Sequence, residues 1–150
     1  METLKQKLYQ ACRSFTEDRI SSLESAIKDI QQAANEETKS TAGDKYETGR
    51  AMAQLEIDKY RNQLAEAVKT KQELLRITVE ENTQRIKPGS LIFTSLGNFY
   101  IAINAGQQHV DGQTFFTVSA ASPIGLKLIG LKPGDSFTLN NQEFKLLKVH

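Results

Sequence analysis

Gly43-Asp44-Lys45-Tyr46-Glu47 is the stretch that decides the fold, because it lies between two long helical patterns of nearly equal length. These patterns cover residues 3 to about 34 and about 46 to 78. At about 1.5 Å of rise per residue, each helix has an expected length of about 45–50 Å. If the two helices fold back on each other, this stretch lies at the tip of a long helical hairpin.

The apolar residues of both helices form narrow stripes with the alternating three- and four-residue spacing of a coiled coil. The first stripe shifts phase once, between Phe15 and Ile20, and Lys71 occupies one position of the second stripe. A narrow apolar stripe on an otherwise polar helix is buried against one partner helix. The first stripe contains Leu4, Leu8, Ala11, Phe15, Ile20, Leu23, Ile27, Ile30 and Ala34, and the second contains Ala53, Ile57, Tyr60, Leu64, Ala67 and Leu74.

The segment 35–43 predicts that the partner helix belongs to the same chain. This segment is poor in apolar residues and ends in glycine, which is typical of a turn. An antiparallel hairpin about the turn matches apolar positions with apolar positions along its length. The predicted pairs are Ile27 with Ile57, Ile20 with Leu64, and Phe15 with Val68.

Composition divides the chain into two predicted domains. Residues 1–80 hold 13 Lys and Arg against 14 Asp and Glu, whereas residues 81–150 hold six against four and are rich in Gly, Phe, Thr and Ile. We therefore expect a helical hairpin over 1–80, with an acidic tip at 35–47, and a second domain over 86–150. A net charge of +1 does not indicate a protein that binds free nucleic acid through a strongly basic surface.

Neither a membrane segment nor a disulfide is expected. No run approaches the roughly 20 apolar residues of a membrane span, and the N-terminal stretch lacks the apolar core of a signal peptide. We therefore expect a cytoplasmic protein. Cys12, the single cysteine, excludes an intramolecular disulfide and a zinc cluster, and its place on the apolar stripe predicts a buried side chain.

The pattern of residues 86–150 changes to that of short strands. Strands are predicted at 90–93, 99–103 and 114–118, and a final hairpin at 137–139 and 143–149 around Asn140-Asn141, with His109 in a loop. Ser122 is a good N-cap for a short helix, Pro123 suits its first position, and Gly130 can close it. An antiparallel sheet with one short helix makes the whole chain α+β.

Two segments of the sequence resemble the Gre family of bacterial transcript-cleavage factors. The tip has the pattern Gly-Asp-x-x-Glu in Gly43-Asp44-Lys45-Tyr46-Glu47, and the second domain has Ser122-Pro123-Ile124, Leu128-Ile129-Gly130 and Gly134-Asp135. The resemblance implies an N-terminal antiparallel coiled coil and a C-terminal FKBP-like domain.

The resemblance also implies a function. The coiled coil would enter the secondary channel of RNA polymerase, where Asp44 and Glu47 would share a Mg²⁺ ion with the active centre and stimulate cleavage of backtracked RNA. Mg²⁺ is commonly bound by one or two carboxylates plus phosphate. The protein would then be a monomeric accessory factor rather than an enzyme, with no cofactor of its own, and would meet nascent RNA only indirectly. Expected partner-binding residues are Tyr46, Arg50, Lys127 and Lys132.

A departure from the family pattern after the acidic pair keeps other functions open. Thr48-Gly49-Arg50-Ala51 follows the acidic pair where the family has Asn-Ala-Glu-Tyr, and Arg50 is placed to pair with Glu47. One alternative is a modulator or inhibitor that occupies the channel without supporting cleavage. The other is a coiled-coil interaction module unrelated to polymerase. Asp44 and Glu47 also fit a capping box, with Asp44 as the N-cap.

Overall fold

The structure, a computed structural model, describes residues 1–40, 44–80 and 84–150, and the side chains of residues 37–46 also lie outside the description. Two long helices precede a six-stranded sheet and one short helix, so the predicted α+β class is confirmed. In chain order the elements are α1 (Leu4–Ser40), α2 (Asp44–Leu75), β1 (Leu91–Thr94), β2 (Gly97–Ala102), β3 (Gly106–Val110), β4 (Gln113–Ser119), α3 (Pro123–Leu128), β5 (Ser136–Leu139) and β6 (Gln142–Val149). No described helix is long and apolar enough to cross a membrane.

The described residues form two compact units. The sheet unit contains residues 1–15 and 72–150, and the hairpin unit contains residues 16–71. Both long helices therefore contribute residues to both units. That residues 1–80 and 86–150 fold as separate domains stays a prediction.

Helix α1 extends further than its sequence pattern predicted. It begins with a capping box, in which the Thr3 hydroxyl accepts from the Gln6 backbone N–H at 3.1 Å and the Gln6 side chain accepts from the Thr3 N–H at 2.8 Å. It continues to Ser40, so residues 35–40 are helical and not part of a turn. Polar residues such as Glu and Lys are good helix formers, and a lack of apolar residues is therefore a weak sign of a helix end. Residues 41–43 of the predicted turn lie outside the described residues.

The buried stripe of α1 passes through Thr16, not Phe15. Thr16 is 2% exposed, whereas Phe15 is 40% and Val68 37% exposed, so the predicted burial of Phe15 against Val68 is wrong. With Thr16 included, the stripe advances in steps of four from Leu8 through Cys12 to Ile20, and no phase shift is needed. A buried stripe follows helix geometry, and here the geometry selects a small polar residue over a neighbouring large apolar one.

The stripe of α2 agrees with its prediction. Ile57, Ala67 and Leu74 are buried, and the remaining stripe residues are half-buried. Lys71 is also half-buried, and its Nζ atom lies 3.5 Å from Oε1 of Glu17. This ion pair joins the two helices within the hairpin unit.

The two helices of the hairpin unit run antiparallel. Glu17, near the beginning of this part of α1, pairs with Lys71, near the end of this part of α2. Further along, Ala34 of α1 and Arg50 of α2 line the same groove. Positions that rise along α1 therefore meet positions that fall along α2, as the intramolecular hairpin requires.

The sheet is mixed, which corrects the prediction of a purely antiparallel sheet. Its strand order is β3-β4-β2-β1-β6-β5, and β2 pairs parallel with β4, while the other neighbours are antiparallel. Strand β3 causes the difference, because the chain crosses from β2 to the sheet edge before it returns as β4. His109 lies on this edge strand and not in a loop. The polar sequence Gly-Gln-Gln-His-Val gives β3 little strand signal of its own.

Each face of the sheet has its own apolar core. On one face, Leu8 and Cys12 of α1 and Leu74 of α2 pack with sheet residues that include Tyr100 and Phe115. The core of the other face contains Leu128 of α3 and sheet residues including Ile92, Phe99, Ile101, Phe144 and Leu146. The ends of both long helices are thus part of the core of the sheet unit.

Local sequence signals in the sheet unit agree with the structure. The Ser122 hydroxyl accepts from the Gly125 N–H at 3.1 Å and caps α3, whose first residue is Pro123. A Cβ atom at position 125 would lie 2.1 Å from the Ser119 carbonyl oxygen, so the close approach of α3 to β4 requires glycine there. Asn140 and Asn141 have φ angles of 53° and 62°, which is the conformation of a tight turn between β5 and β6.

Candidate functional site

The acidic pair of the sequence lies on the first turn of α2. This helix begins at Asp44, and Glu47, three residues later, is on the same turn with an exposed side chain. Residues three apart on a helix point in similar directions. The backbone therefore places Asp44 and Glu47 on one side of the beginning of α2, and the exposed Glu47 carboxylate is available to a partner.

Two predicted site residues have side chains that lie outside the described residues. These are Asp44 and Tyr46, for which the structure gives the helical backbone only. The described part of α2 begins at Asp44, and the predicted N-cap role of Asp44 stays a prediction, because it depends on a side chain outside the described residues. The metal-binding and catalytic roles of Asp44 and Glu47 stay predictions.

Arg50 lines a groove between the two helices, which we call the polar groove. The polar groove has a volume of about 290 Å³. Gln31 and Asn35 contribute to its wall from α1, and Gln54 from α2. The Gln54 Nε2 atom donates to Oδ1 of Asp58 at 2.9 Å. Besides its sequence position near Glu47, Arg50 is thus placed beside the amides of α1.

A second groove of the hairpin unit, the apolar groove, has a volume of about 740 Å³. Met52 and Leu55 line it and are 65% and 71% exposed. Glu56 and Lys59 also line it. Large apolar side chains with such exposure, next to a groove, are typical of protein interaction surfaces.

Ala34 and Ala53 explain why both grooves exist. Each of these stripe residues lines the polar groove and the apolar groove, so the two grooves flank the helix–helix contact at the same level of the hairpin. Two alanines fill less of this contact than larger apolar side chains would. Neither groove was predicted from the sequence, although the small residues Ala34 and Ala53 in the two apolar stripes were a signal for them.

The predicted basic residues Lys127 and Lys132 belong to the sheet unit, and both side chains are exposed. Lys127 is in the last turn of α3. Lys132 begins a tight turn, in which its backbone N–H donates to Oδ2 of Asp135 at 3.0 Å. Their role in partner binding stays a prediction.

The strongly shifted pKa values belong to buried groups of the sheet unit. Burial raises the pKa of the Cys12 thiol to about 12, against a smaller opposite effect of its hydrogen bond with Thr117. Burial also raises the pKa of Tyr100 above its usual range, with smaller contributions from the nearby Cys12 and Tyr9. Both groups are 0% exposed, so they keep their protons and offer no catalytic group to a substrate.

The start of α2 offers one described carboxylate, that of Glu47, as a metal ligand. Among the side chains that the structure describes, no group of three or more His, Cys, Asp or Glu residues is arranged to hold a metal ion. Glu47 can supply one exposed carboxylate, whereas the side chain of Asp44 lies outside the described residues. Mg²⁺ takes six oxygen ligands and keeps several waters, so the remaining ligands would come from a partner and from water.

Comparison with known proteins gave one kind of similarity. No family model matches the sequence, and no curated protein matches it. Among solved structures, that of the transcription factor Gfh1 is similar to 93% of this chain and to 94% of its own chain, with a TM-score of 0.36 and 18% sequence identity.

Proposed function

We propose that the protein is a Gre-like transcription elongation factor whose hairpin enters the secondary channel of RNA polymerase and stimulates cleavage of backtracked RNA. The observation that carries this proposal is the position of Asp44 and Glu47 on the first turn of the second helix of an antiparallel hairpin, with Glu47 exposed. The resemblance of the tip and of the segment from Ser122 to Asp135 to the Gre family supports it.

The geometry of the hairpin unit supports insertion. Helices over 16–40 and 44–71 have lengths on the order of 40 Å at about 1.5 Å per residue. The described residues of this unit form two helices side by side. The start of α2 is the end of that helix remote from Lys71. Such a unit can present a carboxylate inside a channel that is too narrow for a globular domain.

The proposed role of the acidic pair is to complete a metal site and not to carry out a reaction alone. Asp44 and Glu47 would bind and orient a Mg²⁺ ion shared with the polymerase. When bound, such a second metal ion activates the attacking water and stabilises the leaving oxygen. The protein's own carboxylates contribute position and charge, so the protein is an accessory factor without a cofactor of its own.

A double variant separates this role from helix capping. In Asp44→Asn/Glu47→Gln, amides replace both carboxylates, and Asn and Gln are accepted in the first turn of a helix. We expect the stability of the protein to change by less than about 0.5 kcal/mol. We expect binding to core RNA polymerase to persist and most stimulation of transcript cleavage to be lost, because neutral amides are poorer Mg²⁺ ligands than carboxylates.

The measurements are affinity for core polymerase and the cleavage rate of a backtracked complex. Glu66→Gln, which changes an exposed carboxylate of α2 outside both grooves, is the matched control and should cleave like the wild type. Normal cleavage by the double variant would reduce the pair to a structural role. Binding without any stimulation by the wild type, even at raised Mg²⁺, would favour the second candidate, a modulator that occupies the channel. The segment Thr48-Gly49-Arg50, which departs from the cleavage factors, is the observation that favours that candidate.

A further inference from the structure

We propose that the polar and apolar grooves are the two specific contacts of the hairpin with its partner, one on each side of the helix pair. The polar groove would receive an acidic side chain of the partner at Arg50. The apolar groove would receive an apolar side chain between Met52 and Leu55. This inference rests on the proposed function, from which it takes RNA polymerase as the partner, and it assigns residues other than the acidic pair to binding.

Charge complementarity argues for an acidic side chain in the polar groove. Among the described residues of its wall Arg50 is the one cation, and the other polar residues described there are the amides of Gln31, Asn35 and Gln54. A guanidinium group binds a carboxylate through two parallel N–H···O bonds, and neighbouring amides can donate further hydrogen bonds. Asp58, which accepts from Gln54, adds a negative charge beside this wall. A single carboxylate therefore suits the groove better than a doubly charged phosphate group.

The apolar groove has the composition of the centre of an interface. Methionine is enriched in such centres, and a rim of polar or charged residues commonly surrounds them. Met52 and Leu55 are three residues apart on α2, so both side chains lie on one side of the helix. Gly49, Ala33 and Ala53 give this groove small side chains, whereas Glu56 and Lys59 contribute charges of opposite sign. A bulky apolar side chain of the partner can occupy the space that the small residues leave.

The position of the grooves distinguishes a channel from a flat docking surface. Both grooves share Ala34 and Ala53 and therefore lie at one level, on opposite sides of the contact between the helices. A partner with a flat surface would cover one of these sides. A channel has walls on both sides of an inserted hairpin, so it can use both grooves at the same time.

The test measures the dissociation constant of full-length variants with core RNA polymerase at two salt concentrations. Arg50→Gln removes the charge of the polar groove, and Met52→Gln/Leu55→Gln changes the apolar groove. We expect Arg50→Gln to weaken binding about 10-fold at about 0.1 M salt but less than about 3-fold at about 0.5 M, because salt screens exposed charges. We expect the apolar variant to weaken binding about 10-fold at both concentrations.

Two matched controls lie on α2 outside both grooves. Arg61→Gln removes an exposed arginine, and Val68→Gln changes an apolar side chain that is 37% exposed. Both controls should bind within about two-fold of the wild type, as is usual for surface substitutions away from an interface. Far-UV circular dichroism of every variant establishes that the helices are intact. A loss of affinity is then due to the changed groove and not to unfolding.

Each outcome decides the proposal. Weaker binding of both groove variants, with normal binding of both controls, supports it. Normal binding of either groove variant overturns the two-sided contact, and loss of cleavage in Asp44→Asn/Glu47→Gln would then leave the proposed function in place. If the wild type does not bind core polymerase, the proposed function and this inference both fail.

Discussion

Cys12 illustrates how burial of a single side chain makes the stability of the sheet unit depend on pH. The thiol is 0% exposed, and burial raises its pKa from 9.0 to about 12. The folded state therefore favours the protonated thiol. The stability that this preference contributes is fully present below about pH 9 and is lost as the pH rises towards about 12.

The first prediction concerns the pH range in which this stability is lost. Between about pH 8 and about pH 10, the free energy of unfolding of the wild type should fall by about 1.4 kcal/mol through Cys12. Cys12→Ala should be less stable at pH values near 8, because it loses buried contacts, but its fall over the same interval should be smaller by that amount. Urea denaturation of both proteins measures the difference. Equal falls would show that the thiol ionises as readily in the folded protein as in the unfolded one.

At the same scale, the stripe of α1 shows what sequence reasoning missed. Phe15 is the more apolar residue, but Thr16 occupies the buried position because the helix turns through about 100° per residue. Hydrophobicity ranks residues one at a time, whereas burial depends on the direction in which each side chain points. The exposed position of Glu47 agrees with its predicted availability, but its role depends on a partner that the chain does not contain.

At the scale of elements, the hairpin depends on a few buried side chains of α2. Ile57 is 5% exposed, and Leu55, two residues before it, is 71% exposed. Ile57→Asp places an unpaired charge in the helix contact, which should destabilise the hairpin unit by several kcal/mol. Leu55→Asp is the matched control and should change stability by less than about 1 kcal/mol.

Circular dichroism and amide NMR together measure this second prediction. In Ile57→Asp the helical signal should fall while the amide resonances of β1 to β6 keep their positions, because those strands belong to the sheet unit. Loss of the strand resonances as well would mean that the hairpin and the sheet unfold together. An equal loss of helix in Leu55→Asp would contradict the assignment of the buried side of α2.

Elements with strong local signals were predictable, and elements made by distant pairing were not. The start of α3 follows from Ser122 and Pro123, and the β5–β6 turn follows from Asn140 and Asn141, since each signal acts within a few residues. Strand β3 has a polar sequence and depends on its pairing with β4. The parallel pairing of β2 with β4 is a consequence of β3, so the sequence pattern predicted the strands on either side without their order.

At the scale of the whole molecule, the sheet unit is discontinuous in sequence. It takes Leu8 and Cys12 from the beginning of α1, Leu74 from the end of α2, and the entire sheet. A segment that starts after α2 would leave Tyr100 and Phe115, both 0% exposed in the structure, without the helical residues of their core. The sheet therefore depends on the ends of the helical hairpin.

The third prediction concerns two shortened proteins. Replacing residues 16–71 by a linker of about six Gly and Ser residues should give a protein that unfolds cooperatively, because packed helices lie about 8–10 Å apart and the linker can span that distance. Residues 80–150 alone should lack cooperative unfolding, since one face of the sheet would be uncovered. Thermal unfolding followed by near-UV circular dichroism compares the two. Cooperative unfolding of the 80–150 segment would instead support an independent second domain beginning near residue 86.

The discontinuous sheet unit also determines an order of events during protein synthesis. Residues 16–71 can pair as helices as soon as they leave the ribosome, whereas Leu8, Cys12 and Leu74 must await Phe115 of β4, the last residue along the chain in their buried cluster. At about 5–20 residues per second, the 41 residues from Leu74 to Phe115 take about 2–8 s to translate. During that interval the nascent chain exposes apolar helix ends, and these ends are the segment at which a ribosome-associated chaperone would bind.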